Sequence, residues 1–392
     1  MRAPLVGRRL GLLAHPASLT ADGRHSLDAL AATPGLRVTA AFGPQHGLRG
    51  DKQDNMVESE DFLDPALGIP VFSLYGPVRR PTDAMLEHCD VLLVDLQDLG
   101  CRIYTFITTL RYVLEACGRL GKAVWVLDRP NPAGREVEGL ALRPGWESFV
   151  GAGPMPMRHG LTMGEMARWF MRECRIDVEL VVVPMQGWDP HAAPGFGWPL
   201  GERSWVNPSP NAPNVYMARA YAGTVMLEGT TLSEGRGTTR PLELFGAPGL
   251  DAKVLLGEMA RLAPGWLAGC RLRPCWFEPT FHKHAGELCA GVQVHTDDPA
   301  YDPAAFRPWR LQALAFKALR RLRPDYPLWR DFPYEYETTR LAIDVINGGT
   351  LLREWVDDPA AEPADLDALA RADETAWRRA NADVLTAGTP TG

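Results

Sequence analysis

The sequence predicts an α/β protein, with a Rossmann-like parallel-sheet domain followed by a smaller α/β domain and a cleft between them. The chain has 392 residues, which is long for one domain and suits two. Between residues 9 and 129, short apolar runs alternate with segments of helical periodicity, a pattern typical of βα units. We place the boundary so that the domains span residues 1–226 and 227–392.

The predicted elements follow from apolar periodicity and from the residues that start and stop helices. The first-domain strands are RLGLLAH, RVTAAFG, PVFSLYG, VLLVDLQ and AVWVLDR, with helices near 26–32, 82–87 and 104–119. Thr162 and Glu165 form a capping box ahead of another helix, which ends near Cys174. The second domain is predicted to contain a helix near 251–262, a strand in ELCAGVQVHT, a long helix over 303–321 and a polar helical tail.

A segment rich in Pro and Gly covers residues 184–213 and cannot form a regular element of any length. It contains Trp188, Trp198 and Trp205, and large aromatic side chains favour packing over disorder. We therefore predict a long ordered loop, which in a compact domain is usually functional.

Charge and cysteine content exclude several classes of partner. The formal net charge of -7 gives no general attraction to nucleic acid or to an anionic membrane. The opening segment is interrupted by Pro16 and is a poor signal peptide, and no window approaches the roughly 20 apolar residues of a membrane helix. The seven cysteines lack zinc-ligand spacing and are expected to be free thiols. We expect a cytoplasmic protein without nucleic-acid or membrane partners, and the oligomeric state stays open.

Neither a cofactor nor a metal is expected. The first strand is followed by His15-Pro16-Ala17-Ser18 rather than by a glycine-rich dinucleotide fingerprint, and no P-loop occurs elsewhere. The H-E-x-x-H, G-x-S-x-G and S-x-x-K patterns are also absent. The zinc-protease and familiar serine-hydrolase classes therefore lack support.

Polar clusters follow three of the predicted strands. GPQHGLRG follows the second strand, DLQD the fourth and DRPNP the fifth. In open parallel sheets, ligands bind beyond the carboxyl ends of the strands. We interpret the clusters as one site, although a single Asp or Asn commonly caps a helix or makes a turn. His46 and Tyr104 could face this site, or could be structural residues packed within the fold.

Further polar clusters lie at His159, in NPSPN over residues 207–211, and in EGTTLSEGRGTT over residues 228–239. The last run is rich in hydroxyl groups and glycines, and Glu228 and Glu234 add carboxylates of the kind that glycoside chemistry uses. An interdomain linker is the alternative interpretation. We favour a site because linkers seldom carry such residues so densely.

In this order, the motifs QHGLRG, VDLQDLGCRIYTF, VLDRPNP, PMPMRHGLTMGE, NPSPN and EGTTLSEGRGTTRP resemble those of the NamZ-like exo-β-N-acetylmuramidases, glycoside hydrolase family 171. The resemblance covers residues 45–241. It implies a cofactor-independent glycosidase of peptidoglycan turnover that releases N-acetylmuramic acid from the non-reducing end of peptidoglycan fragments.

The resemblance and the strand-end positions together indicate candidate site residues. The candidate catalytic residues are Gln45, His46, Asp95, Tyr104 and Glu228. The candidate substrate-binding residues are Arg49, Gln97, Arg102, Asp128, Arg129, Asn131, His159, Asn207, Ser209, Asn211, Glu234 and Arg236. The arginines suit the lactyl carboxylate of the sugar, and the NPSPN loop suits its acetamido group.

One residue departs from the family pattern. The first motif of the family usually reads Glu-His-Gly, with a glutamate that resembles a catalytic group, whereas this chain has Gln45. Glutamine does not ionise and cannot act as an acid or a base. Another acid such as Asp54, Asp95 or Glu228 could replace it, the substrate could be a related amino sugar, or the protein could bind muropeptides without cleaving them. We favour a substituted acid with an altered substrate. An α/β hydrolase for an unrelated small substrate is a further alternative.

Overall fold

The computed structural model describes residues 3–54, 56–192, 201 and 203–385. The strands are β1 (Arg9–Ala14), β2 (Arg37–Gly43), β3 (Phe62–Leu63), β4 (Pro70–Ser73), β5 (Val91–Asp95), β6 (Ala123–Leu127), β7 (Glu138–Ala141), β8 (Pro156–Arg158), β9 (Leu180–Val183), β10 (Leu244–Ala247), β11 (Arg271–Phe277) and β12 (Cys289–His295). The helices are α1 (Ser26–Ala31), α2 (Asp83–Leu86), α3 (Phe106–Arg119), α4 (Met163–Glu173), α5 (Val215–Thr224), α6 (Ala252–Leu262), α7 (Pro308–Leu322), α8 (Ala342–Asn347), α9 (Leu351–Asp357), α10 (Pro363–Ala380) and α11 (Ala382–Leu385).

The main sheet has the order β3-β4-β2-β1-β5-β6-β9 within the described residues. β1 pairs in parallel with β2 and β5, and only the short β3 runs antiparallel to its neighbour. Every residue of β5 is buried, as expected of a strand covered on both faces. The α/β class and all five predicted strands are confirmed. The sequence did not indicate β9, which has only four half-buried residues.

The second part of the chain carries an antiparallel sheet of order β10-β12-β11. The predicted strand in ELCAGVQVHT is β12, which pairs with both neighbours. The predicted helix over 303–321 is α7, and it begins later, with Pro308 in its first turn. Proline suits that position because its missing N–H would have no partner within the helix. The polar helical tail is α10.

Caps position the helices around the sheet. The capping box of Thr162 and Glu165 is present at the start of α4. α3 begins at Phe106, two residues after the predicted start, and buries an apolar face against the sheet. Part of the loop predicted over 184–213 lies outside the described residues, namely 193–200 and 202, and this includes Trp198.

A continuous apolar core includes residues from both parts of the chain, for example Val94 of β5, Phe245 of β10 and Phe316 of α7. Long-range hydrogen bonds accompany it, and the Trp377 indole of α10 donates to the His159 carbonyl at 2.9 Å. The pieces are therefore packed as one body around the site. No described helix combines the length and the apolar character that crossing a membrane requires.

Candidate active site

A pocket with a mostly buried lining lies where both parts of the chain meet. The turn after β2, the start of α3 and the NPSPN loop supply one wall. The segment 228–242 and the pair Tyr334-Glu335 supply the other. Of the candidate residues, the pocket brings together Gln45, His46, Tyr104, Ser209, Asn211, Glu228 and Arg236.

Glu335 lines this pocket and was missed by the sequence analysis. Its Oε1 accepts a hydrogen bond from Gln45 Nε2 at 3.1 Å, and its Oε2 accepts one from the Tyr75 hydroxyl at 2.9 Å. Burial raises the pKa of Glu335 to about 7, and the nearby Glu228 carboxylate acts in the same direction. Near neutral pH, Glu335 therefore exchanges a proton readily, as a general acid or base must.

Glu335 sits at the tip of a tight turn. Tyr334 and Glu337 exchange both backbone hydrogen bonds at 3.0 Å, and the residues between them, Glu335 and Tyr336, have φ of 47° and 71°. Such a turn normally requires Asn-Gly or similar residues, because side chains are strained at positive φ. Strain of this kind persists where the surrounding structure imposes it, commonly at functional sites.

Gln45 is held from two sides. Its Oε1 accepts from the Thr105 hydroxyl at 2.6 Å, which orients its Nε2 toward Glu335. The amide therefore takes part in the hydrogen bonding of the carboxyl group without adding a charge. The pKa of Glu335 is lowered by this hydrogen bond, but less than burial raises it.

Glu228 lies in a 3-10 turn over Val225–Gly229, and both of its oxygens are engaged. Oε1 accepts from Arg236 Nη2 at 2.6 Å, and Oε2 accepts from the Tyr334 hydroxyl at 2.7 Å. Gly229 permits this placement, because a Cβ there would lie 2.7 Å from the backbone of Ile343 in α8. Glu228 is thus an oriented carboxylate paired with a guanidinium.

Glu234 forms the outer part of the same charge network. Arg236 Nε donates to it at 2.6 Å, and Lys283 Nζ lies 2.8 Å from its other oxygen. Burial opposes its ionisation, but Lys283 and Arg236 outweigh burial and hold the pKa of Glu234 well below its usual value. Glu234 does not line the pocket, so its contact with substrate is indirect, through the orientation of Arg236.

His46 is fixed as a neutral imidazole. Its Nδ1 lies 2.8 Å from the Lys52 carbonyl oxygen, which can only accept, so Nδ1 carries the hydrogen and Nε2 is left as an acceptor. Burial lowers the pKa of His46 to about 4. The residue is at φ 69° and is followed by Gly47 at φ 79°, a left-handed stretch for which the glycine is well suited.

The Tyr104 hydroxyl is buried, and no group of the described residues lies in hydrogen-bonding geometry to it. Burial raises the pKa of Tyr104 well above its ordinary value. A buried phenol without a partner is costly. It is therefore a candidate donor to a bound ligand, together with the Ser209 and Asn211 side chains in the same wall.

The structure does not bring the acids at the ends of β5 and β6 to the pocket. Asp95 is bound bidentately by Arg129, at 2.5 and 3.0 Å, and accepts from Ser26. Asp128 accepts from Thr162 and from the Gly164 amide at the start of α4, and burial raises its pKa to about 6. Both carboxylates act as structural acceptors in these positions.

The neighbouring polar residues are similarly engaged. Gln97 donates to the carbonyls of Asp98 and Pro130, and with Arg129 it lines a separate cavity. Asn131 donates to the Leu161 carbonyl and accepts from the Ala133 amide.

The remaining candidates lie away from the pocket lining. Arg102 is fully buried and donates to the carbonyls of Leu140, Met155 and Ile346. His159 is buried, with Nε2 3.4 Å from Asp98. Arg49 is exposed over the ring of Phe62, and Asn207 is half-buried.

Asp54, an acid considered as a replacement for the family glutamate, lies near the pocket. It raises the pKa of Arg236 and partly offsets the lowered pKa of His46, but it does not line the cavity. Among the residues that the structure describes, no group of three or more His, Cys, Asp or Glu could hold a metal ion.

Comparison with known proteins identifies the family. Residues 10–216 match the sequence model of the N-terminal part of the exo-β-N-acetylmuramidase NamZ, and residues 219–386 match its C-terminal part. The peptidoglycan β-N-acetylmuramidase NamZ of Bacillus subtilis is 43% identical over 295 residues, which are 75% of this chain and 69% of that protein.

Solved structures agree with this result. A crystal structure of a DUF1343 family protein from Bacteroides fragilis has a TM-score of 0.83 and 30% identity, covering 97% of this chain and 94% of that one. A second DUF1343 family structure from the same organism has a TM-score of 0.68 at 23% identity, covers 96% of this chain and 94% of that one, and supports the fold alone. The chain belongs to the exo-β-N-acetylmuramidase NamZ family.

Proposed function

We propose that this chain is an exo-acting β-N-acetylmuramidase that releases N-acetylmuramic acid from the non-reducing end of peptidoglycan fragments during cell-wall turnover. Family membership supports the reaction class, since the relative from Bacillus subtilis is a peptidoglycan β-N-acetylmuramidase. The observation that carries the proposal is the pair Glu228 and Glu335 in one buried pocket. Glycoside hydrolysis ordinarily uses two carboxyl groups whose environments give them different protonation states.

Glu335 is the proton donor in this proposal. Its pKa of about 7 keeps a large share of the carboxyl group protonated near neutral pH. Gln45 and Tyr75 both donate to it and so fix its orientation without removing its proton. When the glycosidic bond breaks, Glu335 gives that proton to the leaving oxygen.

Glu228 supplies the negative charge that faces the sugar ring. Arg236 and the Tyr334 hydroxyl hold its two oxygens, so the carboxylate needs little reorganisation during the reaction. The positive charge that develops at the anomeric carbon is stabilised by this fixed anion. Each oxygen keeps lone pairs for a water molecule or a sugar hydroxyl.

Gln45 is a positioning residue in this account. The amide orients Glu335 where the family usually has a glutamate, and Glu335 rather than Asp54, Asp95 or Glu228 takes over the acid role. The pocket thereby stays competent for cleavage despite the substitution.

Substrate recognition is assigned to the rest of the pocket wall. The Tyr104 hydroxyl, the His46 acceptor nitrogen and the Ser209 and Asn211 side chains suit the acetamido group and ring hydroxyls of an amino sugar. Arg236 is the only arginine among the described lining residues. Its Nε and Nη2 are engaged by Glu234 and Glu228, which leaves Nη1 for the lactyl carboxylate. We also propose a cytoplasmic site of action, supported by seven cysteines that are all free thiols.

A muropeptide-binding protein without catalysis is the second candidate, and Gln45 is the observation that favours it. The two functions differ in whether bound substrate is consumed. Tight binding of N-acetylmuramic acid without turnover, measured by calorimetry, is the result that the binding function predicts.

The deciding experiment is incubation of the purified protein with the disaccharide in which N-acetylmuramic acid is β-linked to N-acetylglucosamine. Mass spectrometry follows the release of the free sugars. The proposal predicts release by the wild type and a loss of about 100-fold or more in Glu335→Gln, the range expected for removing a general acid. Folded wild-type protein that binds the disaccharide and releases nothing would establish the binding function instead.

A further inference from the structure

A second cavity adjoins the pocket, and Glu335 connects the two. This groove is open to solvent and is lined by Tyr112, Phe149 and Tyr336 among others. Among the residues that the structure describes, Glu335 alone lines both cavities. We refer to the second cavity as the Tyr112 groove.

The carboxyl group of Glu335 is held between the two cavities. On the pocket side, Gln45 donates to Oε1. On the groove side, Tyr75 donates to Oε2, and its ring packs against Phe149 and Tyr336 with centroids 5.6 and 6.2 Å apart. The carboxyl group therefore marks the boundary where a bond between two bound groups would lie.

A general acid protonates the oxygen that joins the released sugar to the leaving group, so the two groups must lie on either side of it. We propose that the pocket holds the sugar to be released and that the Tyr112 groove is the leaving-group site, which takes a saccharide of more than one ring. This inference rests on the proposed function and adds to it the preferred length of the substrate.

Exposure distinguishes the two cavities. In the pocket, Gln45, Glu228 and Arg236 are between 2% and 7% exposed. In the groove, Tyr336 is 50% exposed, and the side chain of Arg119, another lining residue, is 57% exposed. A buried pocket beside an open groove is the arrangement expected when one terminal sugar is enclosed and the rest of the chain extends into solvent, as exo-action requires.

The chemistry of the groove suits sugar rings. The guanidinium groups of Arg79 and Arg80 lie over the rings of Tyr336 and Tyr112, at 3.3 and 3.6 Å from the centroids, which fixes polar N–H groups beside aromatic surface.

The basic groups of the groove are balanced by acids. Arg79 pairs with Glu58 at 3.3 Å, and Arg119 pairs with Asp83 at 2.5 Å. Glu147 and Glu337 also line the groove. Because these acids neutralise its cations, the groove has little net charge with which to attract a charged peptide. It offers aromatic planes and hydrogen-bonding groups, which suit sugar rings.

The test compares three substrates with different leaving groups: 4-nitrophenyl β-N-acetylmuramide, the disaccharide, and the peptide-free tetrasaccharide built from two disaccharide units. The wild type is expected to show a higher kcat/KM on the tetrasaccharide than on the disaccharide. The quantity to compare is the kcat/KM for the tetrasaccharide divided by the kcat/KM for the aryl muramide. Tyr112→Ala should lower this ratio about fivefold, which is the size of effect expected for the loss of one aromatic contact. The change should come mainly from a higher KM for the tetrasaccharide. Tyr112→Phe keeps the ring and should keep most of the ratio.

Trp276→Ala is the matched control, because Trp276 is 69% exposed on β11 and lines neither cavity. It should show the wild-type ratio. If Tyr112→Ala fails to fold, Arg80→Gln, a change at an exposed side chain, should lower the same ratio about twofold.

Two negative results are distinguishable. Hydrolysis of all three substrates, with the same ratio in the wild type and the groove variants, would overturn the leaving-group assignment and leave the proposed function intact. A folded wild type that hydrolyses none of them would overturn the proposed function and the groove assignment with it.

Discussion

Glu228 and Glu335 lie in the same pocket but in opposite surroundings. Glu228 is paired with Arg236 at 2.6 Å, whereas Glu335 is bound by the uncharged groups of Gln45 and Tyr75. Burial therefore raises the pKa of Glu335 to about 7, and the hydrogen bonds from Tyr75 and Gln45 and the charge of Arg79 offset this rise only in part. The two glutamates therefore have different roles because their immediate partners differ: a guanidinium for Glu228 and an amide for Glu335.

Gln45→Glu tests this arrangement, because it replaces only the amide nitrogen of the side chain by an oxygen. The substitution would place a second carboxyl group about 3 Å from Glu335, and two carboxyl groups so close cannot both ionise. One pKa of the pair should rise, so the decline of kcat/KM on the basic side should move up by about one pH unit or more.

The matched control for this substitution is Gln186→Glu, which adds the same charge at an exposed position outside the pocket. It should leave the profile in place. A basic limb that does not move in Gln45→Glu would show that position 45 is not coupled to the acid.

Glu335→Gln should also change how stability depends on pH. The folded pKa is about 7 and the ordinary value is 4.5, so the folded state binds the proton more tightly. The stability that this group contributes is present below about pH 4.5 and is lost as the pH rises through 7, about 3 kcal/mol at most. Glu335→Gln has no ionisable group at this position, so its free energy of unfolding does not include this decrease.

Urea unfolding near pH 5 and pH 8 measures the effect. The free energy of unfolding of Glu335→Gln, relative to the wild type, should increase between the lower and the higher pH. His46, whose lowered pKa acts on both proteins alike, cancels in the difference. A difference that stays constant would mean that Glu335 has no raised pKa.

The sequence allowed Glu228 and Arg236 to be predicted as site residues, because they stand in a dense polar segment within a recognisable motif series. Glu335 gave no such signal. It lies in PYEYE, beyond the region covered by the resemblance, and its role depends on a turn at positive φ and on packing against Tyr75, which is 260 residues away in the chain. Neither feature can be read from local sequence.

At the scale of elements, the sequence predicted that the polar clusters after three strands would share one site. The turn after β2 reaches the pocket, but the acids after β5 and β6 are engaged in fixing neighbouring segments. A strand-end Asp that binds ligand and one that caps the next helix share the same sequence pattern, so only the structure distinguishes Asp95 and Asp128 from Gln45.

Arg102→Met tests the structural role that we propose for a residue first considered as a substrate ligand. Arg102 is fully buried, and its guanidinium donates to three backbone carbonyls, one of them in α8. Leaving buried carbonyls without donors should lower the free energy of unfolding by about 3 kcal/mol. The KM of folded protein should stay near the wild-type value. A raised KM with unchanged stability would restore the substrate-binding interpretation.

At the scale of the whole molecule, the site exists only when both parts of the chain are present. Gln45, His46 and Tyr104 come from the first part, whereas Glu228, Arg236 and Glu335 come from residues beyond 226. Composition and the alternation of elements were enough to predict the α/β class. The way in which α10 packs onto β7, with Glu374 accepting from the Gly139 amide at 2.9 Å, depends on contacts too distant in sequence to foresee.

A fragment of residues 1–226 should therefore be inactive and poorly folded, because the apolar core runs through both parts. Circular dichroism, limited proteolysis and the sugar-release assay would measure this against the full chain. A fragment that is compact, resists proteolysis and releases N-acetylmuramic acid would contradict the assignment of both carboxyl groups.

The central claim is that Glu335 donates the proton in hydrolysis of a β-N-acetylmuramide, and the pH dependence of kcat/KM on the disaccharide tests it most directly. With Glu335 as the essential acid, kcat/KM of the wild type should fall about tenfold per pH unit above roughly pH 7. Glu335→Gln should lower kcat/KM at the optimum about 100-fold or more, and its kcat/KM should no longer show this decline above roughly pH 7. A wild-type profile that stays flat to about pH 9, or a Glu335→Gln variant with wild-type kcat/KM, would contradict the account.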